Sequence, residues 1–192
     1  MKKTKIIFIC FLVLAIIQIA VPLSMIVRRE MTLKNGKQYK FKTAPVDPYD
    51  AFRGRYVALN LEEGIVQVNR TGEYHRGEKV YAVLKEDEDG FAKIIDLIHE
   101  KPESGDYIKT RIRYNTQSGI HLDLPFDRYY MNEEDAPVTE ALYLKFTRGD
   151  RRDAFITIRV KCGFAVLEEL YIQNKPIGQF LEEEKKRQRV SK

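Results

Sequence analysis

Ala154-Phe155-Ile156-Thr157-Ile158-Arg159-Val160-Lys161-Cys162-Gly163-Phe164 is the stretch that decides the fold class. Ile156, Ile158 and Val160 alternate with Thr157, Arg159 and Lys161. A period of two puts the apolar set on one face of a strand and the polar set on the other. Gly163 interrupts the run and a second strand candidate follows it, residues 164–172. The same pattern recurs upstream in short candidates at residues 37–43, 55–62, 65–68, 79–85, 91–98, 107–114 and 120–124, with Gly54, Gly90, Gly105 and Gly119 between them. In 55–62, Tyr56, Ala58 and Asn60 fall on one face and Val57, Leu59 and Leu61 on the other. Many short strands with regular turn signals predict a mainly β domain, barrel- or sandwich-like. One short helix breaks the series. Asp135-Ala136-Pro137 opens it, and Val138, Ala141, Leu142 and Phe146 recur at helical spacing.

Asn35-Gly36 is a two-residue hairpin signal, which predicts that residues 31–34 pair with 37–43. Ahead of it lies the most apolar part of the chain. From Ile6 to Val27 only Gln18, Pro22 and Ser24 are not plainly apolar. A helix of that length covers roughly 33 Å, against a hydrocarbon core of roughly 30 Å. Signal-peptide apolar regions are shorter, about 7–15 residues, and precede a small-x-small cleavage site. No such site is present at Pro22-Leu23-Ser24-Met25, so the segment reads as a retained anchor contacting the lipid bilayer. Lys2, Lys3 and Lys5 precede it, and Arg28 and Arg29, offset by Glu30, follow it. The bias places the N-terminus in the cytoplasm and the rest outside it, as a single-pass protein of the cell membrane. Three parts follow: an anchor at 1–29, a β-rich extracytoplasmic domain at 30–178, and a charged tail at 179–192. Glu182–Lys186 and Glu183–Arg187 are spaced to support a short helix in that tail.

The formal net charge is +5. The excess sits in the flanks of the anchor and in the tail, and the segment between them is close to neutral. A surface that binds nucleic acid needs a concentrated basic face, so that partner is not expected. The two cysteines, Cys10 in the apolar run and Cys162 in the domain, are not placed to form an intrachain disulfide. The domain must rely on its core.

Asp47-Pro48-x-Asp50-x-x-Arg53-Gly54-x-Tyr56-Val57-x-Leu59 is a specific pattern. With the anchor before it, it resembles the GDYXXLXY family of bacterial membrane-anchored proteins. The resemblance resumes at Arg128-Tyr129-Tyr130-Met131-Asn132-Glu133 and again at Gly163-x-Ala165-x-Leu167. It implies membrane placement and a single folded unit, and supplies no reaction. Arg55 stands where the family has Asp, and Leu61 where it has Tyr.

Asp47, Asp50, Arg53 and Arg55 form the densest polar group, in a stretch with two prolines, and Gly54 beside them joins the candidate binding residues. Such a group either binds a ligand on a rigid frame or fixes the turn backbone. Tyr56, Tyr130 and Glu133 complete the candidate binding residues. Glu133, with Glu134, Asp135 and Glu140, also surrounds a helix start, where carboxylates complement the helix dipole. His75, His99 and His121 lack metal-ligand spacing, so no metal and no cofactor is expected. Arg148-Gly149-Asp150 reads as a turn. No phosphate loop and no nucleophile elbow is present. The sequence thus points to a non-enzymatic accessory domain for another membrane or envelope protein. An envelope hydrolase or small-ligand binder using Asp47, Asp50 and Glu133 is the alternative.

Overall fold

A computed structural model describes residues 2–44, 56–67, 74–147 and 153–190. The chain opens with α1 (Lys2–Asn35), a helix of 34 residues with Pro22 inside it. It is long and apolar enough to cross a bilayer, and no part of its apolar window is buried against the rest of the protein.

Residues 31–34, expected as a hairpin strand, are the last turns of α1. Extending an existing helix needs no new nucleus, and Met31, Leu33 and Lys34 are good helix formers. Asn35-Gly36 ends the helix instead of turning a hairpin. The Gly36 amide donates to the Thr32 carbonyl at 2.8 Å. A Cβ on Gly36 would lie 2.4 Å from that carbonyl oxygen, so only glycine permits this exit. The next residue already belongs to β1 (Lys37–Ala44). No stalk separates helix from sheet.

The remaining elements are β2 (Tyr56–Ala58), β3 (Asn60–Leu61), β4 (Ile65–Val66), β5 (Lys79–Glu86), β6 (Ala92–Ile98), β7 (Tyr107–Thr116), β8 (Gly119–Leu122) and β9 (Arg128–Tyr130). After them come α2 (Ala136–Thr147), β10 (Ala154–Lys161), β11 (Phe164–Ile172), β12 (Lys175–Pro176) and α3 (Ile177–Val190). One five-stranded sheet has the order β12-β11-β10-β1-β3, and the other β4-β8-β7-β5-β6. β2 and β9 form a separate two-stranded ribbon. The sheets make a sandwich-like domain, and no barrel closes among the described residues.

The alternation in β10 has its expected consequence: Ile156, Ile158 and Val160 are buried, and they pack with Phe41, Ile108, Ile112, Ile120, Leu170 and Ile172 in one core. Phe41 of the first sheet meets Phe126 at 5.6 Å between ring centroids. The two large sheets also touch edgewise, where Ile108 bridges Gly163 and the Lys109 amide donates to the Gly163 carbonyl at 2.9 Å. A Cβ on Gly163 would fall 2.4 Å from the Tyr107 ring, and its φ is +76. Glycine there serves both the turn and the contact between sheets.

α1 and α2 are the leading helix and the one short helix expected, and the third helix, α3, is longer than the short tail helix that was expected. α3 runs through most of the segment read as a tail. Ile177, Phe180 and Leu181 are buried, and Phe180 meets Phe146 of α2 edge-on at 5.5 Å. Its charges also differ from the expected pairs: Glu183 binds Lys175 at 2.6 Å, and Arg187 binds Glu184 at 2.9 Å.

Candidate functional site

Asp47, Asp50, Arg53 and Gly54 lie outside the described residues, as do Arg55 and the Arg148–Asp150 turn. Tyr56, Tyr130 and Glu133 are described, and the first two meet. β2 and β9 pair antiparallel with Tyr56 opposite Tyr130, Val57 opposite Tyr129 and Ala58 opposite Arg128. The family-like segment before β3 and the family-like segment before α2 are thus hydrogen-bonded neighbours. Leu59 extends the junction, donating its amide to the Asp127 carbonyl at 2.8 Å.

The alternation of β2 divides the ribbon into two faces. Val57 is fully buried, and Leu59 and Leu61 follow it into the core. Tyr56 and Tyr130 lie on the outer face, their rings tilted at 54° with centroids 5.7 Å apart. Arg128 stacks its guanidinium over the Tyr56 ring at 4.9 Å. Tyr130 is 67% exposed, a large value for an aromatic side chain with a ring partner. The hydrogen bond that Tyr130 offers holds the Arg128 guanidinium still further above its ordinary range, followed in effect by the nearby Tyr56 and Asp127. Arg128 is a permanent cation in this setting.

Tyr129 points the other way and fixes the ribbon to the main sheet. Its hydroxyl donates to Glu169 Oε1 of β11 at 2.7 Å. Burial first, and this bond second, push its pKa well above the ordinary tyrosine range. The neighbouring Glu168 accepts from Arg159 Nε at 3.0 Å, and Arg159 Nη1 donates to the Gly36 carbonyl at 3.2 Å. The aromatic face therefore stands on a β-strand whose other contacts reach the base of α1.

Glu133 is exposed and follows β9 by three residues. The acidic group around it has a role that sequence reading did not find: Asp135 pairs with Lys185 at 2.5 Å, which fastens the start of α2 to α3. Two further residues went unrecognised. Arg128 is one, since its position over Tyr56 depends on a strand pairing between distant segments. Tyr143 is the other. It is fully buried, donates to the Ala44 carbonyl at 3.1 Å and lies 3.4 Å from the Asn60 amide. It joins α2 to the chain on both sides of residues 45–55.

Among the described residues no group of three or more His, Cys, Asp or Glu could hold a metal ion. A cleft of about 580 Å³ opens elsewhere, on the second sheet, among Lys79, Tyr81, Lys109, Arg111 and Asp123.

Sandwich, ribbon and leading helix define a small β domain that runs without a linker into one long apolar helix. The chain belongs to the GDYXXLXY family: the family model, described as GDYXXLXY protein, matches residues 18–170. The match begins inside α1 and ends in β11, so the second half of the helix belongs to the family unit. Gly54, Tyr56 and Leu59 keep the naming pattern, with Arg55 and Leu61 as the departures. Leu61 is buried, so in this chain that position fills core. No curated protein matches the chain, and no solved structure does.

Proposed function

We propose that this protein is a single-pass, membrane-anchored accessory domain that docks another membrane or envelope protein through the Tyr56–Arg128–Tyr130 face. The observation that carries this reading is the exposed Tyr130 ring against the half-buried Tyr56 ring with its stacked guanidinium. Tyr and Arg are among the residue types enriched at interface hot spots. An exposed tyrosine beside an arginine on a short, well-seated ribbon is a preformed anchor for a partner pocket. The anchor at α1 holds this face near the bilayer. The charge bias of Lys2, Lys3 and Lys5 over Arg28 and Arg29 orients the domain outside the cytoplasm.

The test is a photo-crosslinking residue placed at Tyr130 in living cells. We expect a discrete crosslinked species of constant size, lost on Tyr56→Ala and absent when the crosslinker replaces Ile95. Recovery of the free chain alone from both positions would count against docking. A reporter fused to the C-terminus tests orientation, and activity confined to the cytoplasm would reverse it.

One observation favours the enzymatic alternative. The pairing of Tyr56 with Tyr130 sets the residue that follows the Asp47–Arg55 stretch in sequence beside the segment that leads to Glu133. Hydrolysis or small-ligand binding at this junction predicts a ligand-dependent rise in melting temperature that Asp50→Asn and Glu133→Gln abolish. Docking predicts no such dependence.

A further inference from the structure

A second feature sits at the other end of the domain, where α1 leaves its apolar run. Ser24, Val27, Arg28 and Met31 share one helical face, by their spacing of three and four residues. Facing them is the turn between β10 and β11, with Lys161 and Cys162. Between helix and turn lies a cleft of about 310 Å³ with almost wholly apolar walls. Its polar atoms are mostly occupied: Ser24 Oγ donates to the Val21 carbonyl at 2.6 Å, and Thr32 Oγ1 to the Arg28 carbonyl at 2.9 Å.

We propose that this cleft binds one anionic phospholipid, with an acyl chain along Ser24 and Val27 and the phosphate at Arg28 and Lys161. The inference rests on the reading of α1 as a membrane helix. Three observations support it. First, the cleft spans Ser24 to Met31, about 10 Å along the axis, and so straddles the end of the apolar run at Val27. That is the depth where hydrocarbon gives way to headgroups. Second, two cations, Arg28 and Lys161, stand among the residues that line this mainly apolar cleft. Among the described residues no carboxylate pairs with Arg28 or Lys161, so the rim lacks an anion. Third, the rim is built. Arg28 is held over the Phe164 ring at 4.3 Å, with its charge free to meet a phosphate from the other side. Arg and Lys are the residues that bind phosphate, the first by its planar fork and the second as a point charge.

A second copy of this chain fits less well. Its own Arg28 and Arg29 would arrive at the same depth, and the rim would then hold only like charges. A neutral lipid offers the phosphate but also an ammonium, which the two cations repel.

The full chain is reconstituted from neutral detergent into phosphatidylcholine vesicles doped with phosphatidylglycerol. Flotation is measured first, then the lipids retained after mild delipidation are read by native mass spectrometry. We expect flotation with the vesicles and about thirtyfold enrichment of one phosphatidylglycerol over phosphatidylcholine, the scale of two cations at an anionic surface. Arg28→Gln with Lys161→Gln should abolish the enrichment and leave circular dichroism and flotation unchanged. Lys79→Gln with Lys109→Gln should change neither. Failure to float would overturn the membrane reading and this site with it. Flotation with equal retention of both lipids, enrichment that survives the double variant, or a second chain in place of lipid would overturn the lipid site alone.

Discussion

Tyr56 lies directly opposite Tyr130 in the β2–β9 ribbon, and the two rings touch on its solvent face with centroids 5.7 Å apart. The backbone pairing needs neither ring, and Val57, on the other face of the same strand, already secures the ribbon to the core. Binding and stability should therefore separate. We expect Tyr130→Ala and Arg128→Ala to shift unfolding free energy by no more than about 0.5 kcal/mol, as for exposed positions in general. Either change should weaken partner docking by about 2 kcal/mol, the cost typical of truncated anchors. Val57→Ala should do the reverse, lowering stability by roughly 1 kcal/mol or more through lost burial. Urea unfolding beside crosslinking yield measures both.

The exit of α1 makes a sharper demand on one residue. Gly36→Ala places a Cβ 2.4 Å from the Thr32 carbonyl and 3.1 Å from the Arg159 Cβ. The obstacle is backbone, which cannot rotate away as a side chain can. Either the last turn of α1 unwinds or β1 shifts against β10, and the Arg159 bond to the Gly36 carbonyl is lost with it. The expected cost is about 1–3 kcal/mol, the range for overpacking. Spin labels on the last turn of α1 and on β11 should also show a broadened distance distribution. An unchanged melting temperature and an unchanged distribution would show that the helix exit tolerates a methyl group.

Tyr143 offers a test of how residues 45–55 are framed. Its ring is buried, and its hydroxyl bonds the Ala44 carbonyl and lies by Asn60. Tyr143→Phe keeps the ring and deletes the donor, which removes a part-buried bond to the Ala44 carbonyl. We expect a loss of about 0.5–1.5 kcal/mol, the net worth of an ordinary hydrogen bond. Equal stability of the two proteins in urea would assign the residue to packing alone.

Parts of this architecture could be read from local pattern, and the reason differs for the parts that could not. β10 was legible because its alternation is regular and its apolar face is buried, which is what a period of two reports. Asn35-Gly36 misled because helix termination and hairpin turns favour the same residues. What separates the two is the register of β1, which spends its long pairing on β10. α3 was obscured by its charge: Ile177, Phe180 and Leu181 follow helical spacing, but the acidic and basic run after them dominates the composition. The candidate site met a different limit. Tyr56 and Tyr130 were both nominated, yet their contact is non-local and runs through strands of only three residues. Such strands carry too little periodicity to announce a partner. Arg128 and Tyr143 depend on the same long-range pairing, and no short-range signal marks them.

Alkaline pH should expose the energetic role of the buried phenols. Burial, followed by its bond to Asp106, pushes the Tyr39 hydroxyl up to about 12, and burial raises Tyr143 to about 12 as well. In the unfolded chain both titrate near about 10. The folded state thus keeps its protons longer, so their stabilising effect is complete below about pH 10 and fades as pH rises toward 12. We expect the urea midpoint to stay level up to about pH 10 and then to fall, with tyrosinate absorbance appearing as the protein unfolds. Tyr39→Phe with Tyr143→Phe should start from a lower midpoint and fall less steeply over the same range. A parallel decline in both proteins would assign the alkaline transition to other groups, Tyr129 foremost among them.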